Sequence, residues 1–327
     1  MIAMKAVITT ETGGPEVLQI QDREAPKPEM DEVLIKVKAA AVNRTDILNR
    51  EGKAGYIENP VLGIEVAGVV EEAGTENPFS PGDRVMGLVN GGGYAEYAVM
   101  RADRVMRIPE AFTYAEAAAV PEVFLTAYQT LYWIGHLNQD ESVLIHAGGS
   151  GVGTAAIQLA SQLSSARVLT TAGSAEKLEF TQKLGAEVRI NYKEQNFDEE
   201  VLAATDNQGV NVILDFVGAS YWEQNLKSIQ TDGRWVLIGV LGGANVPNVN
   251  LMKLLMKRVQ LTGTLLTPRS DEYKAELSRD FVKHAMPLLE DGSIRPIVDT
   301  VFSFEQIADA HRHMQDNKNI GKIILEW

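Results

Sequence analysis

Residues 142–153 read S-V-L-I-H-A-G-G-S-G-V-G, and four glycines (148, 149, 151 and 153) fall where an apolar run ends and a helical pattern begins. Val143, Leu144 and Ile145 suit a strand buried on both faces. Val152, Ile157, Leu159 and Ala160 supply the apolar face of the following helix. Amides at the start of a helix lack intrahelical acceptors, and the helix dipole favours negative charge there. Glycines let such a backbone close on a pyrophosphate without a side-chain clash. The chemistry on offer is anion binding of the kind that holds a dinucleotide, with Ser150, Gly151 and Val152 as the expected contacts. The spacing departs from G-x-G-x-x-G, because Gly149 and Gly151 fit it but Thr154 takes the third place. On this stretch alone a purely structural turn stays open.

The residues further along choose between dinucleotides. About 20 residues past such a turn, an acidic side chain at the end of the second strand would bond the ribose hydroxyls of NAD. Here the strand candidate 168–171 is followed by Ala172 and Gly173, then by Ser174 and Lys177. A hydroxyl and a cation suit a 2′-phosphate. Tyr192, after the third strand, offers a ring to the adenine. The pattern reads as NADPH rather than NAD, with Glu176 turned to solvent.

Elements must position these groups, and the bulk properties leave room for them. The 327 residues allow two domains, and 45% hydrophobic content is that of a globular chain. The longest apolar runs, such as 212–214 and 235–241, fall far short of a membrane span. The first residues, M-I-A-M-K, show no secretory leader, so a cytoplasmic protein is expected. Cysteine is absent, which removes disulfides, a thiolate nucleophile and any Cys-built zinc site. A net charge of −14 argues against a nucleic-acid partner.

Up to about residue 112 the chain is rich in short strands and glycine turns, with strand candidates at 5–9, 17–20, 32–39 and 61–73. Helical patterns follow at 113–120 and 123–134. From 142 onward strands (142–146, 167–171, 188–190, 211–216, 234–240, 259–265) alternate with helices (152–163, 175–184, 197–204, 221–229, 250–257). Such alternation predicts a parallel sheet covered on both faces. Beyond 267 come a helical stretch at 272–289, a strand at 297–301, a helix at 305–314 and a strand at 320–326.

Several segments together carry a resemblance. They are A-V-N-R-T-D from Ala41, L-G-I-E-V-A-G from Leu62, G-G-G-Y-A-E-Y from Gly91, the glycine turn with its helix, G-A-S-Y-W-E-Q-N from Gly218, D-G-R-W-V-L-I-G from Asp232 and K-N-I-G-K-I from Lys318. The chain resembles the zinc-free quinone oxidoreductase branch of the medium-chain dehydrogenase/reductase superfamily. Ala147, Ser150 and Gly153 fall on that branch's A-x-x-G-x-x-G turn, and Ser150 is similar to its tumour-suppressor-inducible subgroup. The resemblance implies an α/β fold: a doubly wound Rossmann domain at 122–265 plus a discontinuous β-rich GroES-like catalytic domain at 1–121 and 266–327. It also implies a substrate cleft between the domains and a homodimer joined near 259–265.

By segment matching, the metal-ligand positions of zinc-dependent relatives fall on Asn43, Ile64 and near Glu122. One carboxylate beside Asn and Ile is no zinc donor set. The histidines at 136, 146, 284, 311 and 313 lack ligand spacing, and His311 and His313 read as surface residues. No metal is expected, so hydride should flow from NADPH to an acceptor that is already electrophilic. The resemblance implies that Asn43 bonds the acceptor carbonyl or the nicotinamide ribose and that Tyr56 lies on the substrate side. Thr45 reads as a helix cap and Glu65 as a structural hydrogen-bond partner. The resemblance places Thr126 and Tyr128 where the nicotinamide half is held, and Val217, Gly239, Val240 and Leu241 fall at C-terminal strand ends, where such a sheet opens its ligand crevice. Thr264, Leu265 and Leu266 resemble the segment that closes on the nicotinamide, and Asn319 resembles the loop near the 2′-phosphate. Trp133, Trp222, Trp235 and Trp327 read as packing. The expected activity is NADPH-dependent reduction of a quinone. The alternatives are a 2-alkenal or enone reductase, a crystallin-like protein that binds NADPH without turnover, and a zinc alcohol dehydrogenase.

Overall fold

The computed structural model describes residues 2–55, 58–76 and 78–327. The chain divides into two units, Met1–Leu125 with Leu266–Trp327, and Thr126–Leu265.

In the Thr126–Leu265 unit the apolar run becomes the strand Ser142–Ile145, with Val143, Leu144 and Ile145 fully buried. It sits inside a six-stranded parallel sheet ordered Val188–Asn191, Arg167–Ala172, Ser142–Ile145, Val210–Asp215, Ile229–Leu237, Gln260–Gly263. The chain builds outward from Ser142–Ile145 to one edge, then returns to build toward the other. That reversal is the switch point where doubly wound sheets open a ligand crevice. Five helices lie between successive strands: Gly151–Ser164, Ala175–Lys183, Phe197–Ala204, Trp222–Ser228 and Leu251–Lys257. Leu144, Leu169, Ile190, Phe197, Ile213 and Trp235 share one core, and Trp222 packs on Trp235 with ring centroids 4.9 Å apart.

The other unit is built on a seven-stranded sheet, with a separate antiparallel pair, Ala3–Thr9 and Leu18–Glu24. The long strand Glu32–Val42 pairs with Glu65–Ala73, Tyr97–Arg101 and the C-terminal Lys322–Glu326. In that last pairing Ile323 faces Val42 and Glu326 faces Ala39, antiparallel. The chain end therefore completes a sheet begun some 280 residues earlier, as the Lys322–Val42 contact across 280 positions records. Ile323, Ile324 and Leu325 are fully buried. Each such side chain contributes about 1.5–3 kcal/mol relative to exposure. Trp327 stacks on Phe304 at 3.9 Å. No helix among the described residues is long and apolar enough to cross a membrane.

Several expected elements differ in detail. The helical stretch at 272–289 splits into Asp271–His284 and Met286–Glu290. Pro287 lacks the N–H that would continue the first helix, and its ring crowds the preceding turn. The strand expected from 61 begins at Glu65, because Gly63 takes φ +90°. Thr45 does not cap the helix Arg44–Arg50, since Asn43 occupies the N-cap position and the Asp46 carboxylate accepts from its backbone N–H at 2.9 Å. His311 is not a surface residue but is fully buried. Ile307, Ala310, His311 and Met314 form the buried stripe of the helix Ile307–Gln315, and an imidazole on that stripe must go inward.

Candidate functional site

The glycine turn starts from His146, which is fully buried at the end of the central strand. Two of the glycines are demanded by space. A Cβ on Gly148 would lie 2.1 Å from the Thr170 hydroxyl, and one on Gly153 would lie 2.3 Å from the Ala147 carbonyl oxygen. Helix Gly151–Ser164 can therefore start tight against the turn. Ser150 caps it, its hydroxyl accepting from the Gly153 N–H at 3.0 Å. The first amides of this helix, those of Gly151 and Val152, have no carbonyl four residues back within the helix. The arrangement can hold a phosphate oxygen on backbone donors and the helix dipole.

Beside the turn, the strand Arg167–Ala172 ends without a carboxylate. Ser174 caps the next helix through the Lys177 N–H at 3.3 Å. The aliphatic stem of Lys177 lies along Gly149, where a Cβ would come within 3.0 Å of Lys177 Cδ. A Cβ on Gly173 would lie 2.7 Å from the Tyr192 hydroxyl and 3.1 Å from Lys193 Cε. Ser174, Lys177 and Tyr192 thus gather around Gly149 and Gly173, and Lys193 joins them as a second cation that sequence reasoning missed. Its signal was its place next to Tyr192 after a strand end. Glu176 is exposed.

On the other side of the turn, the Asp215 carboxylate organises the strand ends. Its Oδ1 accepts from the backbone N–H groups of Val217 (2.8 Å) and Gly218 (3.0 Å). Its Oδ2 accepts from Asn225 Nδ2 (3.0 Å) and Trp235 Nε1 (3.1 Å). The Ile238 N–H reaches the Asp215 carbonyl at 2.7 Å, and the Gly242 N–H reaches that of Val217 at 2.7 Å. These bonds lace Val217 to the loop carrying Gly239, Val240 and Leu241, the last two of which are exposed. Thr264 is held by its N–H on the Leu237 carbonyl at 3.0 Å and is buried, whereas Leu265 is exposed. Thr126 is buried, with its carbonyl accepting from the Thr130 hydroxyl at 2.8 Å.

In the other unit, Asn43, Ile64 and Glu122 converge around the buried carboxylate of Glu65. Glu65 Oε1 accepts from Asn43 Nδ2 at 2.8 Å and from Lys322 Nζ at 2.7 Å, and Oε2 accepts from the Glu122 N–H at 2.8 Å. Lys322 Nζ also donates to Asn43 Oδ1 at 2.6 Å and to the Val42 carbonyl at 3.3 Å. An ammonium that only donates fixes the amide orientation of Asn43. This donor set does not suit a zinc ion: its one central carboxylate is already neutralised by a buried cation, and Ile64 offers no donor. Among the described residues, no group of three or more His, Cys, Asp or Glu side chains could hold a metal.

Next to this centre, Asp46 Oδ2 accepts from the Tyr94 hydroxyl at 2.9 Å, and its Oδ1 accepts from the Gly63 N–H at 3.1 Å. Burial pushes the Asp46 carboxyl up to about 6 against those donors. His311 lies 3.4 Å from the Tyr94 hydroxyl through Nε2 and accepts from Arg50 at Nδ1 (2.9 Å). Burial, helped by the Arg50 charge, lowers its pKa to about 3. Asn319 braces its own turn, Nδ2 donating to the Gly321 carbonyl at 2.8 Å. Tyr56 lies outside the described residues.

Comparison with known proteins places this geometry in a family. Residues 29–110 match the alcohol dehydrogenase GroES-like domain, and residues 151–282 match the zinc-binding dehydrogenase family. The synaptic vesicle membrane protein VAT-1 homolog of Rattus norvegicus is 32% identical over 98% of this chain and 84% of its own length. The quinone oxidoreductase of Mus musculus is 32% identical over 98% of this chain and 97% of its own. Among solved structures, a mycobacterial protein complexed with NADPH superposes with a TM-score of 0.89 at 31% identity, over 99% of this chain and 100% of that one. With matches of this extent to both halves of the fold and to full-length relatives, the chain belongs to the medium-chain dehydrogenase/reductase superfamily of oxidoreductases, among relatives that include quinone oxidoreductases.

Proposed function

We propose that the protein reduces quinones with NADPH and without a metal ion. The observation that carries the coenzyme half is the cluster of Ser174, Lys177 and Lys193 around Gly149 and Gly173, with no carboxylate at the strand end. A 2′-phosphate would find a hydroxyl and two cations there, and Tyr192 would lie beside the adenine. The pyrophosphate would rest on the amides of Ser150, Gly151 and Val152. Because the sheet reverses at the central strand, the nicotinamide half belongs on the side of Val217, Gly239, Val240 and Leu241. Thr126, Thr264, Leu265, Leu266 and Asn319 complete the proposed contacts. The mycobacterial structural neighbour holds NADPH and the mouse relative is named a quinone oxidoreductase, which supports both halves of the reading.

When bound, the reduced nicotinamide supplies a hydride. The chain's own groups bind and orient. Both hydrogens of the Asn43 amide are directed at protein acceptors, Glu65 at 2.8 Å and the Ala41 carbonyl at 3.4 Å. Asn43 Oδ1 accepts from Lys322 Nζ and faces the Asp46 N–H of its own capping box, so a ligand could meet Asn43 only by offering a hydroxyl or amide hydrogen that shares this oxygen. This favours a ribose hydroxyl over an acceptor carbonyl as its partner. Tyr56 remains the proposed substrate-side phenol. Lys322 repels a divalent cation from Glu65, which supports metal independence and hence an acceptor electrophilic by itself. We also propose a homodimer through the free edge of the parallel sheet.

The test follows NADPH and NADH oxidation with a panel of quinones and enals, before and after exhaustive chelation. Quinone-dependent NADPH oxidation that survives chelation is expected. Loss on chelation would overturn metal independence, and turnover of enals alone would make the protein an enone reductase. Lys177→Ala and Lys193→Ala should each weaken NADPH by about 10-fold or more, the worth of a charge-assisted bond, and leave NADH nearly unchanged.

A further inference from the structure

The polar chain beneath the glycine turn has no part in the contacts assigned so far. Thr171, His146, Asn225 and Asp215 are all fully buried. Asp215 Oδ2 can only accept, so Asn225 must turn Nδ2 toward it (3.0 Å) and Oδ1 toward His146 Nε2 (2.7 Å). Nε2 therefore carries the hydrogen, and the bare Nδ1 accepts from the Thr171 hydroxyl at 2.9 Å. Burial keeps the imidazole in this neutral form. The chain runs in one direction, from Thr171 through His146 and Asn225 to Asp215, and each link is satisfied. A buried polar chain of this kind is costly when partly satisfied and rigid when complete.

Its two ends lie on opposite sides of the turn. Thr171 stands two residues before Gly173, where Ser174, Lys177 and Tyr192 gather. Asp215 holds the amides of Val217 and Gly218. We propose that His146 is a positioning residue which, through Thr171, Asn225 and Asp215, fixes the separation between the adenosine side and the nicotinamide side of the crevice. A dinucleotide then gains from binding both sides at once. The inference rests on the reading that NAD(P)H binds along the turn. Once one half of a linked ligand is bound, the other binds as an intramolecular event, and the gain depends on how well the two half-sites are held at the ligand's span. Loosening the chain should lower that gain and leave the affinity of each half unchanged.

The experiment measures, on the whole protein, dissociation constants of NADPH and of its adenosine fragment 2′,5′-ADP. Thr171→Val keeps the shape of the side chain and removes the hydrogen bond to Nδ1. It should raise the NADPH constant about tenfold, the effect of one buried hydrogen bond, while 2′,5′-ADP stays within about twofold. Thr171→Ser restores the hydroxyl and should return the NADPH constant to that of the parent. His146→Phe should act in the same direction and more strongly; if it does not fold, the Val and Ser pair decides alone. Equal losses for NADPH and 2′,5′-ADP in Thr171→Val, or unchanged constants with a lowered Tm, would show a merely structural chain and overturn the inference. A parent protein that binds NADPH no better than 2′,5′-ADP would overturn it as well. A parent that binds neither NADPH nor NADH sinks the coenzyme reading, and the inference with it. A parent that prefers NADH removes only the 2′-phosphate assignment, and the same ratio is then read with NADH and 5′-AMP.

Discussion

Lys322 shows how far a single residue can outrun its sequence context. In K-I-I-L-E it looks like an ordinary lysine at the start of a strand, yet its ammonium is buried against Glu65 and Asn43. Removing it strands the Glu65 carboxylate without a countercharge. Lys322→Met should therefore destabilise the fold by about 3–5 kcal/mol in denaturant unfolding, and Lys322→Met with Glu65→Gln should recover most of that loss. A double variant as unstable as the single one would mean that the pair is not what Lys322 supports. Glu65 was legible as a structural hydrogen-bond partner. Its cation was not, because the two lie 257 positions apart and only the register of the last strand joins them. His311 went unrecognised for the opposite reason: the helical stripe pointed inward, but an imidazole reads as polar. Its folded pKa of about 3 lies below the ordinary value of 6.5, so its contribution to stability is complete above about 6.5 and is lost as pH falls toward 3. Asp46, raised from 3.8 to about 6, has the opposite sign: its contribution is complete below 3.8 and is lost as pH rises through 6. Between pH 6 and 4 the two nearly cancel. His311→Gln removes one side of that balance. Relative to the parent, it should gain up to about 3 kcal/mol of stability between pH 6.5 and 4, read from urea midpoints at each pH. A difference that does not move with pH would refute the neutral buried His311.

At the scale of elements, the glycine turn was the most legible feature, and for a physical reason. Its signals are local: an apolar run buried on both faces, glycines, then a helical period. Helix Gly151–Ser164 and strand Ser142–Ile145 fall within a residue or so of their expected places. Two of the elements misread have ends set by a single backbone constraint, Pro287 in one and Gly63 in the other, while the strand expected at 234–240 runs Ile229–Leu237. The turn also ranks its own substitutions. A Cβ at Gly153 would meet the Ala147 carbonyl at 2.3 Å and Gly148 Cα at 2.8 Å, both backbone atoms with nowhere to go. At Gly149 the neighbour is the flexible Lys177 stem at 3.0 Å. Gly153→Ala should therefore lower the Tm of the protein markedly, at a cost of about 1–3 kcal/mol or more. Gly149→Ala should leave Tm nearly unchanged and shift Lys177, weakening NADPH more than NADH. Equal Tm losses for the two variants would contradict the packing of the turn.

At the scale of the whole molecule, the doubly wound half announces itself by alternation, whereas closure of the β-rich half by the chain end does not. Nothing in the period of 320–326 says that Ile323 will pair with Val42; that return was implied only by family resemblance. Assembly is the remaining question at this scale, and the free edge of the parallel sheet bears on it. All four residues of the edge strand Gln260–Gly263 are exposed, and the sheet order ends with this strand. The adjacent helix Leu251–Lys257 turns Leu251, Met252, Leu255 and Met256 outward at 65%, 59%, 68% and 74% exposure, while Leu254 packs on the core. An unpaired strand edge beside a Leu/Met face is what soluble chains otherwise avoid. On the proposed homodimer, a second copy about a two-fold axis would cover both features at once, because such an interface is self-complementary. Sedimentation at micromolar concentration should give twice the chain mass. Leu255→Glu with Met256→Lys should give the single-chain mass while coenzyme affinity at the glycine turn is retained, since both side chains are exposed on the helix that joins the last two strands of the sheet, away from the central strand in the sheet order. A parent protein that sediments as one chain, or a charged variant that still sediments as two, would exclude this edge as the interface.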